Sequence, residues 1–148
     1  LFLTSNMDEI RQYLIKQFQS KVESNEVYLD CHFEVIEIAF PAIYIYHIIN
    51  YLINESLKLN HSEKKVTIKI RTEKREGFVE IKIENDCESQ RCFGIEKDLA
   101  STEEDIDENS LLDLHLAKQQ IQSFGGSINI SKNVDFGNQV SIHLPIEN

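Results

Sequence analysis

Apolar residues recur at helical spacing along several segments of the chain. Met7, Ile10, Leu14 and Phe18 predict an amphipathic helix over about residues 7–23. Thr4-Ser5-Asn6 offers capping side chains ahead of it, and Asp8 and Glu9 place negative charge in its first turn. Ile45, Ile48, Ile49, Leu52, Ile53 and Ser56 form one stripe of a long helix that Pro41 is suited to open. The opposite side of that helix carries His47, Asn50, Asn54 and Lys58. Leu114, Ala117, Ile121 and Phe124 predict a further helix, ended by Gly125-Gly126 as a left-handed C-terminal cap requires.

Between these segments the period changes to two. Val27 to Phe33 is rich in strand formers. Val66, Ile68 and Ile70 alternate with polar residues, as do Val79, Ile81 and Ile83, and Glu73-Lys74-Arg75-Glu76-Gly77 reads as the link of a hairpin with one buried face. A second alternating pair follows, Ile128 and Ile130 with Val140, Ile142 and Leu144. Asp135-Phe136-Gly137-Asn138 supplies its turn, and Pro145 can finish the last strand. Residues 86–110 show no period and include an acidic run over 101–109. Like charges there repel, so 98–109 is predicted to be the most mobile part of the chain.

The order of elements predicts an α/β two-layer sandwich, with a mixed sheet of about five strands packed against three helices. The ten sheet residues Val66, Ile68, Ile70, Val79, Ile81, Ile83, Ile128, Ile130, Val140 and Ile142 are expected to face the helices. The 148 residues suit a single domain, and a hydrophobic share of 41% is enough for one core. The formal net charge of -10 repels phosphate backbones and anionic lipids, so neither nucleic acid nor a membrane surface is an expected partner. No apolar run has the length of a membrane span, and no secretory signal opens the chain. It begins at Leu1, which reads as a fragment of a longer protein, with residues 1–6 as the end of an upstream linker. Cys31, Cys87 and Cys92 make an odd count that suits a reducing cytoplasm. The spacing of Cys87 and Cys92 is not that of a zinc knuckle, so they read as ordinary thiols.

The closing third carries the most specific pattern. Leu111-Leu112-Asp113-Leu114-His115-Leu116-Ala117-Lys118 is followed by Phe124-Gly125-Gly126-Ser127-Ile128 and by Phe136-Gly137-Asn138-Gln139-Val140-Ser141-Ile142-His143-Leu144-Pro145. With the order of elements, this resembles the catalytic ATP-binding domain of sensor histidine kinases. That family shares a Bergerat-type ATPase fold with a wider group that includes DNA gyrase and MutL. The resemblance runs from about residue 7 to Ile146 and makes 86–110 an ATP-lid-like loop.

The resemblance also names candidate site residues. The family's asparagine box, Asn-Leu-Leu-x-Asn-Ala, reads Asn50-Tyr51-Leu52-Ile53-Asn54-Glu55 here. It implies Asn54 as the ligand of a magnesium ion on the phosphates, since an amide oxygen is a suitable hard ligand. Glu55 stands where alanine is usual, and Lys58 falls one place later than the family's lysine. In the first glycine box, Asn85 stands where an aspartate reads the adenine amine, with Asp86 next to it. Cys87 and Ser89 replace that box's glycines. In the second box the glycines that bring a helix N-terminus to the phosphates become Leu111 and Asp113, which add bulk and negative charge. The vestigial nucleotide set is therefore Asn50, Asn54, Lys58, Asn85, Asp86, Leu111 and Asp113, with no catalytic residue among them.

His32, His47, His61, His115 and His143 all lie in the ATP-binding part, so none reads as the phospho-accepting histidine of an upstream hairpin. The resulting expectation is a degenerate, pseudokinase-like module of a cytoplasmic two-component signalling protein. It would use no cofactor, taking ATP and magnesium only if the site still works. Its partners would be other domains of the same protein, a response regulator, and a second copy in a full-length dimer. The alternatives are an active kinase domain and the docking domain of a histidine phosphotransfer protein.

Overall fold

The computed structural model describes residues 4–59, 65–86, 109–133 and 137–146. The expected mobile segment, with Cys87, Ser89 and Cys92, lies outside these residues apart from Asn109, which opens a helix. In chain order the elements are β1 (Ser5–Asn6), α1 (Met7–Gln17), α2 (Gln19–Glu23), β2 (Val27–Phe33), β3 (Glu37–Ile38) and α3 (Ala42–Leu59). They continue with β4 (Val66–Arg75), β5 (Phe78–Asn85), α4 (Asn109–Ser123), β6 (Ser127–Asn133) and β7 (Gly137–Pro145).

The main sheet has five strands in the order β2-β4-β5-β7-β6. β2 runs parallel to β4, and the other neighbours are antiparallel, so the sheet is mixed. Its register sets Ile70 opposite Ile83, and Ile83 opposite Val140. Val66, Ile68, Ile70, Val79, Ile81, Ile83, Val140 and Ile142 are buried in one core with Ile45, Ile48, Ile49, Leu52, Ile53, Leu114, Ala117 and Ile121 of the helices. The expected α/β sandwich is the observed one. Ile128 and Ile130 are only half-buried, because β6 is the edge strand and has a neighbour on one side alone.

Local departures have local causes. The first predicted helix is two helices, because Phe18 (φ -106°, ψ 24°) leaves the helical region between α1 and α2 while its ring enters the core. Asn6 caps α1 through its side chain, which accepts from the Glu9 amide at 3.1 Å. β1 and β3 pair with each other, and the Ser5 hydroxyl donates to the Phe40 carbonyl just before α3. β4 extends to Arg75, so the β4–β5 link shrinks from the expected five-residue stretch to the turn at Glu76-Gly77. α4 ends at Ser123, and Phe124, counted in its stripe, is 48% exposed and stands edge-on to the buried Phe40 ring. Among the described residues no helix is long and apolar enough to cross a membrane.

The other face of the sheet carries charge. Glu80 accepts from His143 at 2.9 Å and from Arg75 at 3.3 Å, with Lys82 at 3.8 Å. Burial pushes the Glu80 carboxyl up, but the hydrogen bonds from His143 and Arg75 and the nearby Lys82 charge outweigh it and hold it below the ordinary value of 4.5. A carboxylate with a depressed folded pKa stabilises the fold above its unfolded pKa, and that contribution is lost as pH falls through the folded value. The Glu80→Gln variant is therefore expected to lose part of the fall in melting temperature that the unmodified chain shows as pH drops below the ordinary carboxylate value. Identical pH profiles for the variant and the unmodified chain would contradict this.

Candidate functional site

The candidate residues come from α3, the end of β5 and the start of α4. α3 and α4 pack side by side over the sheet. The apolar stripe of α3 faces the sheet, which turns Asn50 and Asn54 away from it. Asn54 is exposed. Asn50 is half-buried, and its Oδ1 is shielded from solvent with no hydrogen-bond partner among the described residues. The Tyr51 hydroxyl is likewise buried and unpaired among the described residues, on a residue 4% exposed. Lys58 is exposed and lies 3.6 Å from Glu55 of its own helix.

β5 delivers Asn85 to the buried face of the sheet, opposite Ile68 in register. Asn85 is 7% exposed, and its Nδ2 donates to the Ser56 hydroxyl of α3 at 2.8 Å. Ser56 donates in turn to the Leu52 carbonyl at 2.7 Å. Asp86, one residue on, goes elsewhere. Its Oδ1 accepts from the Thr67 amide at 2.8 Å, and its own amide bonds the Thr67 carbonyl at 3.3 Å. Asp86 thus closes the end of the β4–β5 ladder and is exposed. Of the two carboxylates that flank Asn85 in sequence, Glu84 and Asp86, Asp86 is fastened to β4, and the buried position itself holds an amide.

Leu111 and Asp113 lie near the start of α4, which begins at Asn109. The structure thus joins Asn85 to α3 through Ser56 and sets α3 beside α4, while Asp86 leaves the group. Ser56 was read from sequence only as part of the core stripe. The available signal was a hydroxyl among Ile and Leu residues, four places after the carbonyl it bonds.

Other chemistry is sparse. Among the described residues no group of three His, Cys, Asp or Glu side chains could hold a metal ion. Cys31 is a free thiol whose pKa is raised by burial, only partly offset by Arg11, which disfavours the reactive thiolate. A shallow groove of about 370 Å³ on α1 and α2, lined by Ile15, Lys16 and Val22 among others, includes none of the candidate residues.

No protein-family model and no curated protein matches the chain. Solved structures do. The chain is similar to the histidine kinase AdeS of Acinetobacter baumannii, with a TM-score of 0.69 at 16% identity over 100% of this chain and 68% of that one. It is similar to the catalytic domain of the histidine kinase ThkA, solved nucleotide free, with a TM-score of 0.68 at 15% identity over 98% of this chain and 95% of that one. It is also similar to the mycobacterial sensor histidine kinase MprB, with a TM-score of 0.69 at 13% identity, covering 98% and 97% of the two chains. The fold is that of a histidine kinase catalytic domain.

Proposed function

We propose that this chain is a degenerate ATP-binding domain of the histidine kinase type. It acts inside a two-component signalling protein through contacts with other domains, a second copy or a response regulator, and not through ATP hydrolysis. The reading takes residues 1–148 as one domain, entered from a linker over 1–6, with 86–110 in the place of the ATP lid. The observation that carries it is the state of Asn85 and Asp86. The buried side chain facing α3 is a neutral amide that donates to Ser56, and the carboxylate of the following Asp86 is held by the Thr67 backbone. Cys87, Ser89, Leu111 and Asp113, in place of the four glycines, point the same way from sequence.

One feature favours the second reading, a domain that still holds nucleotide. The Asn50 Oδ1 is a buried acceptor without a partner among the described residues, and such an atom is costly unless something meets it. Asn54 lies four residues on along the same side of α3, and its amide oxygen would hold magnesium that arrives with a triphosphate. The ion would then screen the phosphate charge. The donor set fits weakly, because Asn54 is neutral and the nearby Glu55 lies 3.6 Å from Lys58.

The Asn85→Asp variant tests the observation directly. A carboxylate accepts from an exocyclic amine about twice as strongly as an amide, so binding of magnesium-ATP should tighten roughly tenfold over the unmodified chain. Circular dichroism establishes that the variant is folded. Equal affinity for the two proteins would remove the amide as a cause of a weakened site.

A further inference from the structure

The five-stranded sheet ends in β2 on one side and β6 on the other. A free edge offers a row of backbone N–H and C=O groups, and folds guard such edges with charge, proline or a bulge. β2 is guarded by Asp30, which lies 3.0 Å from Arg71 of the neighbouring strand. β6 has no such guard along Ser127-Ile128-Asn129-Ile130-Ser131, a run without charge or proline. Its ladder with β7 is unbroken from Ser127 to Asn133, so no bulge turns the edge away. Asn129 and Ser131 stand opposite Ser141 and Gln139, so this corner of the outer face is neutral as well, in a chain of net charge -10. Among the described residues no strand lies beyond β6.

The same run reads identically in both directions. A second copy added along the edge by a twofold axis runs antiparallel, and the axis sets one residue opposite its own copy. Opposed residues share a face, so an axis at Ile128, Asn129 or Ile130 keeps the apolar sides together. With the axis at Ile128, Ile130 meets Gly126 of the second copy; at Ile130, Ile128 meets Lys132. With the axis at Asn129, Ile128 meets Ile130 twice over, Ser127 meets Ser131 twice over, and the exposed Asn129 meets itself. Ile128 and Ile130 are half-buried because the sheet stops at β6, and directly opposed side chains, about 5 Å apart at Cβ, cover one another. We propose that β6 is a self-association edge, on which two copies pair antiparallel about Asn129 and continue one sheet into the next. The inference is independent of the nucleotide reading and gives the contact with a second copy a definite surface.

The pairing is short, well below the area of a standard stable interface, so the dimer is weak, with a dissociation constant on the order of a hundred micromolar. Sedimentation equilibrium of the unmodified chain in about 0.15 M salt should show the mass of one chain at about ten micromolar, rising toward that of two at about a millimolar. Asn129→Asp and Asn129→Lys each set like charges directly opposite, inside the Debye length of about 8 Å at that salt, and each should associate about fivefold more weakly. An equimolar mixture of the two variants sets opposite charges face to face and should associate about tenfold more tightly than either alone. Asn129 is exposed, so both variants should keep the monomer fold, which circular dichroism checks. Amide exchange from Ser127 to Ser131 needs no variant. Alternate amides there already bond β7, and the others should exchange more slowly as the concentration rises.

The mass of a single chain at about a millimolar overturns the proposal, as does association that both charged variants leave unchanged. A mixture no tighter than its components overturns the register about Asn129, and with it the pairing of Ile128 with Ile130. Exchange that does not slow with concentration overturns the edge whether or not any variant folds.

Discussion

Replacing Gly126 by alanine is expected to destabilise the fold by about 3 kcal/mol or more, close to the upper end for steric insertion into a packed site. A Cβ built on Gly126 meets the His143 carbonyl oxygen at 2.4 Å, with Ile121 Cγ2 and the Ile121 carbonyl oxygen both at 3.1 Å. The worst contact is with backbone in β7, so no flexible side chain can move aside. The approach is close because α4 ends in a Schellman motif. The Gly126 amide bonds the Ile121 carbonyl at 2.9 Å, and the Gly125 amide bonds the Gln122 carbonyl at 3.0 Å. Relief requires either opening that cap or separating β6 from β7.

Gly125 has φ +79° and an open side, its nearest neighbour being Pro145 Cγ at 3.6 Å. Gly125→Ala should therefore cost only the left-handed backbone, about 1 kcal/mol. Denaturant unfolding of the two variants checks the contrast, with a fall in melting temperature of roughly 10 °C or more for Gly126→Ala. Equal costs, or a cost under about 1 kcal/mol at Gly126, would show that β7 yields more easily than its packing implies.

Much of the sandwich was legible because burial on one face imposes a period. Ile45 to Ser56 on α3, and the one buried face shared by Ile68, Ile70, Ile81 and Ile83, could be placed from spacing alone. The inward face of Val140 and Ile142 followed from the same rule, but their places opposite Ile83 and Ile81 did not, since alternation carries no register between separate hairpins. Two-residue strands have no period, so β1 and β3 left no sequence signal. The break at Phe18 was hidden because the ring keeps the apolar spacing while the backbone leaves the helix. At the candidate site, sequence located Asn50, Asn54 and Asn85 but not their states. The Asn85–Ser56 bond spans 29 residues, and the turning of Asp86 onto Thr67 spans 19. Neither depends on a local pattern.

The second large effect is on nucleotide affinity. Phosphates bind at a helix start because free backbone N–H groups and the helix dipole meet them there. α4 begins at Asn109 and places Leu111 and Asp113 near that start. Asp113 is the fifth residue of α4, past its first turn, so its charge would oppose a phosphate by direct repulsion more than through the helix dipole, and leucine brings bulk where the family has glycine. No lysine or arginine lies between Asp98 and Asp113 to compensate. Lys58, the candidate cation on α3, is exposed and close to Glu55. Losing two charge-assisted contacts of roughly 1.5–3 kcal/mol each weakens binding by about a hundredfold or more. The double variant Leu111→Gly, Asp113→Gly should recover at least about tenfold of this. It should also lose helix stability, since glycine costs about 1 kcal/mol per position relative to alanine. Circular dichroism and a thermal melt of the variant therefore accompany its titration. Unchanged affinity in a folded double variant would exclude these two side chains as the cause of weak binding.

The most direct measurement is calorimetric titration of the unmodified chain with ATP and magnesium. A degenerate site predicts no saturable heat at micromolar nucleotide and a dissociation constant of about a millimolar or weaker, near -4 kcal/mol of binding free energy. Saturable one-to-one binding in the micromolar range would contradict the degenerate reading and establish this chain as a working nucleotide-binding domain.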